Sequence, residues 1–225
     1  YKKLLQNGKN LGLKINFIEQ NYPKGLPDAF ILGEKFIGKE NVALILGDNF
    51  FYGADLINQL NEANKKTNGA TIFGYPVLDP ERYGVVEFDS DGKVTNIEEK
   101  PKEPKSKYAI TGLYFYDESV FEKASKVYPS KRGELEITDV NLMYLQEENL
   151  AIKIMGRGMT WLDTGTFESL HEASSFIRTI ENRQGLKIGC PEEVAWRNGW
   201  ITNEQLFNLG TEMKKNDYGN YLLQL

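Results

Sequence analysis

The hydrophobic positions of the chain follow a strand period in some segments and a helix period in others. Leu13, Ile15 and Phe17 alternate with polar residues, which predicts a strand. The unbroken apolar run from Val42 to Leu46 favours a strand buried on both faces of a parallel sheet. Similar patterns predict further strands over residues 70–75, 85–88, 94–97, 108–116, 150–155 and 159–162.

Helical signals fill the intervals between these strands. Pro27 lies where a helix begins, and the apolar residues after it have helical spacing. After Gly185, two short amphipathic helices open at Pro191 and Thr202. Because strands and helices alternate and a hairpin is inserted in the middle, the pattern predicts a mixed α/β sheet. The remaining helices are predicted over residues 55–66, 118–127, 134–147 and 167–183.

The first eight residues have the pattern of the last turns of a helix that ends at Gly8. No helix start signal precedes them, and the sequence does not begin with Met. We therefore expect the sequence to be a fragment without its amino-terminal part.

Composition narrows the chemistry that the chain can perform. The 225 residues carry a net charge of −5 and no basic tract, so a nucleic-acid polymer is not an expected partner. No apolar run reaches the ~20 residues of a membrane span. The single cysteine, Cys190, fits a reducing cytoplasm. Because His171 is the only histidine, the chain has almost no residues with which to form a catalytic Ser-His or Cys-His pair.

Two apolar strands of the predicted sheet end in an aspartate. Asp48 follows the strand at 42–46, and Asp163 follows the strand at 159–162. Ligands gather at the carboxyl ends of strands in open α/β sheets, and Mg²⁺ is often held by one or two carboxylates together with substrate phosphates. The pair therefore predicts a magnesium site for nucleotide chemistry. The alternative is two unrelated helix-capping aspartates.

Three further segments contain candidate binding residues. Glu99 and Lys100 leave a strand together, and could bind sugar hydroxyls and a phosphate, or could form an ordinary solvated charge cluster. Gly84, after Tyr83, and Gly112, inside a strand, would allow a ligand to approach the backbone closely. The alternative for Tyr83-Gly84 is the entry to an ordinary hairpin.

Taken in order, several segments resemble the sugar-nucleotide pyrophosphorylases, and most closely the glucose-1-phosphate thymidylyltransferases. The resemblance covers nearly the whole chain. It implies a Rossmann-like, mixed and mostly parallel sheet flanked by helices (the nucleotidyltransferase or GT-A-like fold), with a small β insertion. Residues 1–185 would form the nucleotidyltransferase domain, and 186–225 a carboxyl-terminal helical appendage. The segments are GLPDAF, LGDNFFYG, DPERYGVVEFD, EEKPKEPKS, YAITGLYFYD, RGELEITD, WLDTGT and GLKIGCPEEVAW.

The resemblance implies transfer of a thymidylyl group from dTTP to glucose 1-phosphate, giving dTDP-glucose and pyrophosphate, the first step of dTDP-rhamnose and deoxysugar synthesis. It assigns Mg²⁺ to Asp48 and Asp163, and the phosphate of the sugar to Lys100. The thymine pocket would contain Gln20, Gly25 and Leu26. The sugar-phosphate site would contain Tyr83, Gly84, Glu99, Lys100 and Gly112, with Tyr114 and Trp161 as walls.

The family also implies a homotetramer and a second site where a dTDP-sugar acts as effector. Positions matching that site are Tyr52, Gly53, Arg157 and Glu193. The family begins with a strand and a Gly-rich loop that clamps the triphosphate, and neither is present in this sequence. We therefore expect the 225-residue chain alone to be impaired as a catalyst.

Two other functions stay open at this level. The chain could be a sugar-nucleotide-binding fragment that performs no chemistry, as the absent loop suggests. It could also be a metal-dependent glycosyltransferase, although such enzymes favour a tight Asp-x-Asp motif and LGDN supplies one Asp. Sibling enzymes that use UTP also remain possible.

Overall fold

The computed structural model describes all residues from 1 to 225. It divides into two compact units, one formed by residues 20–170 and the other by residues 1–19 together with 171–225. The chain passes from one unit to the other inside helix α6, Phe167–Gln184. The division into domains after residue 185, which the family resemblance implies, stays a prediction.

The larger unit contains all eight strands and most of the predicted helices. Its strands are β1 Val42–Ile45, β2 Asn49–Tyr52, β3 Ala70–Pro76, β4 Gly84–Phe88, β5 Val94–Glu99, β6 Tyr108–Tyr116, β7 Leu150–Ile154 and β8 Thr160–Asp163. Its helices are α2 Asp28–Ile37, α3 Leu56–Lys65, α4 Val120–Ser125, α5 Ile137–Gln146 and the start of α6. Seven of these strands and all of these helices were predicted from the periodicity, whereas β2 was not.

The main sheet has the order β5-β4-β6-β3-β7, and β1 pairs with β6 beside β4. Strand β6 is the centre, since it pairs with β3 on one edge and with β4 and then β1 on the other. The mixed α/β class with flanking helices is confirmed. The mostly parallel pairing is wrong, because only β3 and β7 pair in parallel and the other pairings are antiparallel.

The prediction that the strand at 42–46 is buried on both faces is also wrong. Its side chains are alternately half-buried and exposed, and Ile45 keeps 59% of its surface accessible. The reason is the position of β1, which has β6 as its one paired neighbour in the sheet.

Hydrophobic cores lie on both faces of the main sheet. Consecutive residues of β3 point into different cores: Ile72 belongs to the first core and Phe73 to the second. The first core is filled by α2, α4 and α5, for example by Phe30 and Tyr144, and the second receives Ala63 of α3. Because side chains alternate along a strand, the two faces of the sheet each pack against helices.

The smaller unit is helical. It contains α1 Lys2–Leu5, the greater part of α6, α7 Pro191–Arg197, α8 Asn203–Glu212 and α9 Asp217–Leu222. Helix α8 begins with a capping box, in which Thr202 and Gln205 satisfy each other's backbone N–H groups. Its core contains Leu11, Cys190 and Tyr221.

The strand predicted over Leu13, Ile15 and Phe17 is wrong. The segment is irregular, since no strand of the chain pairs with it, and alternation alone cannot supply the hydrogen bonds that a strand needs. None of the nine helices has the length and apolar character that a bilayer crossing requires.

Candidate active site

The structure brings the two strand-end aspartates together. Strands β2 and β8 pair antiparallel, with Asn49 opposite Asp163, so that Asp48 lies beside the end of β8. Thr164 secures this arrangement by donating its backbone N–H and its hydroxyl to the Asp48 carbonyl, at 2.8 and 2.7 Å. A Cβ placed on Gly165 would lie 3.0 Å from Oδ1 of Asp163 and 3.8 Å from Oδ2 of Asp48, so both carboxylates face one point.

Asn49 links one of these carboxylates to the strand behind it. Its Nδ2 donates to Asp48 Oδ1 at 2.9 Å. Its Oδ1 accepts from the backbone N–H of Gly112 at 3.0 Å and from Nε1 of Trp161 at 2.6 Å. The single Asn49 side chain therefore fixes three of the predicted site residues relative to one another.

Two aromatic rings form a wall next to the aspartates. The rings of Tyr83 and Trp161 pack edge to face with their centroids 5.1 Å apart, and the Tyr75 ring packs edge to face with Trp161 at 5.9 Å. Burial raises the pKa of the Tyr83 hydroxyl. Tyr114, the other predicted wall residue, is almost fully buried.

Glu99 is held in place by two neighbours that were not predicted. Thr138, at the start of α5, donates its hydroxyl to Glu99 Oε2 at 2.6 Å. Arg132 lies 3.5 Å from Glu99 Oε1. Glu99 also faces Gly84 across the β4–β5 pair, so the carboxylate is positioned from three sides.

Lys100 adopts an unusual backbone conformation. It has φ +45°, and only Gln6 and Glu148 share a positive φ among the other non-glycine residues of the chain. Its N–H donates to the Tyr83 carbonyl at 3.0 Å, which ties it to the start of β4. Such a conformation costs about 1–2 kcal/mol in a residue with a Cβ, and strained residues of this kind cluster at functional sites.

These residues line one cavity of about 200 Å³, which we name the carboxylate cavity. It contains both aspartates and every predicted residue of the sugar-phosphate site. The predicted members are Leu26, Asp48, Tyr83, Gly84, Glu99, Lys100, Gly112, Tyr114, Trp161 and Asp163. Glu99 is half-buried and Lys100 is exposed where they border this open cavity, so their role as binding residues stays a prediction.

A second cavity of about 310 Å³, which we name the Gln20 cavity, contains the residues predicted for the base. It is lined by Gln20, Gly25 and Leu26, and it shares Leu26, Glu99 and Lys100 with the carboxylate cavity. Gly25 has φ +107°, and a Cβ there would lie 2.1 Å from the Leu135 carbonyl oxygen, so only glycine fits. The two cavities thus adjoin along Leu26 and Lys100.

Two arginines near these cavities carry positive charge that the sequence did not single out. Arg82 lies 3.8 Å from Asp163 and pairs with Asp79 at 2.9 Å, which raises the pKa of its guanidinium. Arg132 lines the Gln20 cavity and contacts Glu99, Glu134 and Glu136. Both would place cationic charge beside an anionic ligand.

The carboxylates of Asp48 and Asp163 fit Mg²⁺, which takes part of its ligands from substrate, better than a metal whose ligands all come from the protein. The structure contains no cluster of three or more His, Cys, Asp or Glu side chains that could hold an ion. Two carboxylates that line one cavity match the site that Mg²⁺ shares with substrate phosphates.

The four residues predicted for an effector site lie in different units. Gly53 packs against the loop that contains Arg157, since a Cβ at Gly53 would lie 2.9 Å from the Gly158 carbonyl oxygen. Tyr52 is next to it, opposite Thr160. Glu193 belongs to the smaller unit, where it accepts from Tyr221 and from Arg197 Nε. The effector site stays a prediction.

Comparison with known proteins gives a consistent family. The model of the nucleotidyl transferase family matches residues 1–180. A glucose-1-phosphate thymidylyltransferase of Neisseria meningitidis is 54% identical over all 225 residues, which cover 78% of that relative. The enzyme of the same name from Mycolicibacterium smegmatis is 52% identical over the same span and is covered to 78% as well.

Two solved structures are also similar to this chain. A Bacillus anthracis protein, solved as a candidate glucose-1-phosphate thymidylyltransferase in complex with sucrose, has a TM-score of 0.69 and 40% identity, covering 79% of this chain and 70% of that one. A UDP-glucose pyrophosphorylase complexed with UDP-glucose has a TM-score of 0.64 and 26% identity, covering 73% and 66%.

Proposed function

This chain belongs to the nucleotidyl transferase family, and on that premise we propose that it transfers a thymidylyl group from dTTP to glucose 1-phosphate. The phosphate oxygen of the sugar attacks the α-phosphorus of dTTP, the bond to the β-phosphate oxygen breaks, and pyrophosphate leaves. The products are dTDP-glucose and pyrophosphate. No protein nucleophile is needed, which agrees with a chain that has one histidine and one cysteine.

One observation carries the proposal: two strand-end carboxylates and a lysine line the same cavity. Glu99 would bind the hydroxyls of glucose in a cavity that Gly84 and Gly112 also line, and Lys100 would pair with the phosphate. Tyr83 and Trp161 supply the apolar surface on which a sugar ring packs. Holding both substrates in this geometry lowers the entropic part of the barrier.

Asp48 and Asp163 would hold Mg²⁺. When bound, the ion would offset the negative charge of the phosphates. The remaining charge would be balanced by Lys100 and by Arg82, whose guanidinium is 3.8 Å from Asp163. Asn49 would help to position Asp48 for the ion, because its Nδ2 donates a hydrogen bond to Asp48 Oδ1.

The Gln20 cavity would receive the thymine base. Its shared boundary with the carboxylate cavity supports this assignment, because a nucleotide has to place its base and its α-phosphate in adjoining sites. Gln20 supplies an amide for the base edge, and Gly25 lies beside Gln20 in the same cavity.

The wider context follows from the family resemblance. The enzyme would act in the cytoplasm as a homotetramer and supply dTDP-glucose for dTDP-rhamnose or related deoxysugars. A dTDP-sugar would bind as effector near Tyr52, Gly53, Arg157 and Glu193.

The reaction is tested by supplying dTTP, glucose 1-phosphate and Mg²⁺ and measuring pyrophosphate and dTDP-glucose. We expect both products in equal amounts. We also expect Asp48→Asn and Asp163→Asn to abolish them, while Asp91→Asn, an isosteric change in an exposed hairpin turn, preserves them. Equal loss in all three variants would show that the aspartate pair has no special role.

A further inference from the structure

The side-chain amide of Gln20 is held in one orientation by two acceptors. Its Nε2 donates to Asp28 Oδ2 at 2.8 Å and to the Gly25 carbonyl at 3.4 Å. A carboxylate and a peptide carbonyl can only accept hydrogen bonds. The nitrogen of the amide therefore faces these two partners, and both of its hydrogens are used there. The Oε1 atom is the end of the amide left for a ligand.

Asp28 is itself firmly placed. It is the first residue of α2, and only 6% of it is exposed. A negative charge at this end of a helix is favoured by the helix dipole. Pro27 before it and the buried Phe30 two residues later fix the first turn of α2 against the core. The carboxylate is therefore a rigid anchor, whereas Gln20 lies in an irregular and exposed segment.

We propose that Asp28 is a positioning residue that sets the base preference of the enzyme through Gln20. The inference rests on the proposed function, in which the Gln20 cavity receives the base. With its nitrogen tied to Asp28, Gln20 can accept a hydrogen bond from the base but cannot donate one. The site therefore favours bases that present a ring N–H donor to Gln20 Oε1.

The chemistry of the pyrimidines gives this selection a direction. Thymine and uracil carry an N3–H donor, which pairs with Gln20 Oε1. Cytosine has an unprotonated N3 acceptor at the same place, so two acceptors would face each other and both would lose their hydrogen bonds. An untethered amide could turn over and donate to cytosine instead. Asp28 prevents that turn. The C5 methyl group, which distinguishes thymine from uracil, has no role in this selection.

The test measures the dissociation constants of dTTP, dUTP and dCTP by titration calorimetry. We expect the unmodified chain to bind dTTP and dUTP more tightly than dCTP. In Asp28→Asn the side chain at position 28 can donate as well as accept, so Gln20 gains the freedom to turn over. The preference for dTTP over dCTP should then fall about tenfold, while the ratio of dTTP to dUTP stays constant. Glu34→Gln, the same type of change at an exposed position of α2, should alter neither ratio.

A double-mutant cycle separates positioning from general damage to the fold. If Asp28 acts through Gln20, Asp28→Asn should change the dTTP-to-dCTP ratio in the unmodified background and have no effect in Gln20→Leu. An unchanged ratio in Asp28→Asn, or an equal change in both backgrounds, overturns the inference. Neither result affects the proposed reaction, which is tested separately by product formation. Failure of all three nucleotides to bind would overturn the proposed function and the inference together.

Discussion

Nε1 of Trp161 donates a hydrogen bond to Oδ1 of Asn49 at 2.6 Å, and this contact joins the aromatic wall of the carboxylate cavity to its acidic end. The other end of the same amide donates to Asp48. The orientation of a carboxylate proposed to hold Mg²⁺ therefore depends on a residue in the wall proposed to contact the sugar.

Asn49→Ala should weaken this coupling. Two N–H groups, those of Gly112 and Trp161, would lose their acceptor, which costs about 1–3 kcal/mol for each buried group that stays unpaired. We expect a lower melting temperature and a fall in kcat/KM of about ten- to a hundredfold, measured by pyrophosphate release. Asn58→Ala at an exposed position of α3 removes a hydrogen bond of similar type and should leave kcat/KM unchanged. An unaltered kcat/KM in Asn49→Ala would show that Asp48 is oriented without it.

Gly112→Ala should lower activity in the same way as Asn49→Ala, because it displaces the Asn49 side chain. The added Cβ would lie 2.6 Å from Asn49 Oδ1 and 2.8 Å from Leu46 Cδ1, so the Asn49 side chain would have to move. We expect reduced kcat/KM for glucose 1-phosphate and no further loss when Asn49→Ala is added. Gly156→Ala is the control, because a Cβ there meets nothing within 4 Å. Fully additive losses would mean that the two residues act independently.

Lys100→Gly should separate stability from activity. Glycine adopts φ +45° without the steric cost that lysine has. The free energy of unfolding of the variant should therefore be about 0.5–1 kcal/mol higher than that of the unmodified chain. The affinity for glucose 1-phosphate should fall sharply, because the ammonium group is lost. Glu148→Gly relieves a similar strain, at φ +55°, away from both cavities and should leave the affinity intact. A destabilised Lys100→Gly would contradict the assignment of strain.

Asp117→Asn should destabilise the larger unit in a pH-dependent way. Burial raises the pKa of Asp117, but hydrogen bonds from Ser119, Gly69 and Tyr144 outweigh it, and the net pKa is lowered. A carboxyl whose pKa is lower in the folded state contributes stability above its unfolded pKa, and that contribution is lost as the pH falls through the folded value. We therefore expect Asp117→Asn to lose about 1–3 kcal/mol at pH 7 and progressively less as the pH falls below the unfolded value of about 4.

Urea unfolding at pH 7 and pH 3 measures this difference. Glu118→Gln, the neighbouring exposed carboxylate, should change little at either pH. A loss of equal size at both values would mean that the ionised form of Asp117 has no particular importance.

Much of the candidate site could be predicted from local sequence. An apolar run that ends in Asp, as at Asp48 and Asp163, shows where a strand stops and where a carboxylate lies. The structure then places both residues in one cavity with Lys100. Their assignment to Mg²⁺ stays a prediction, because two carboxylates alone do not identify an ion.

Other features depend on contacts between distant parts of the chain. Strand β2 has four residues and forms only because β8, more than a hundred residues later, pairs with it. The role of Asn49 is equally non-local, since its partners Gly112 and Trp161 are 63 and 112 residues away. The direction of strand pairing is also invisible to periodicity, because a buried strand such as β6 has the same pattern in parallel and antiparallel sheets.

The central claim is tested most directly by following dTDP-glucose formation from dTTP and glucose 1-phosphate with Mg²⁺. The assay uses the 225-residue chain and the same chain extended with the segments of the Neisseria meningitidis relative that it does not cover. We predict equal amounts of dTDP-glucose and pyrophosphate from the extended protein, and loss of both in its Asp48→Asn and Asp163→Asn variants. A folded, extended protein that forms no dTDP-glucose, or one whose activity survives both substitutions, would contradict the account.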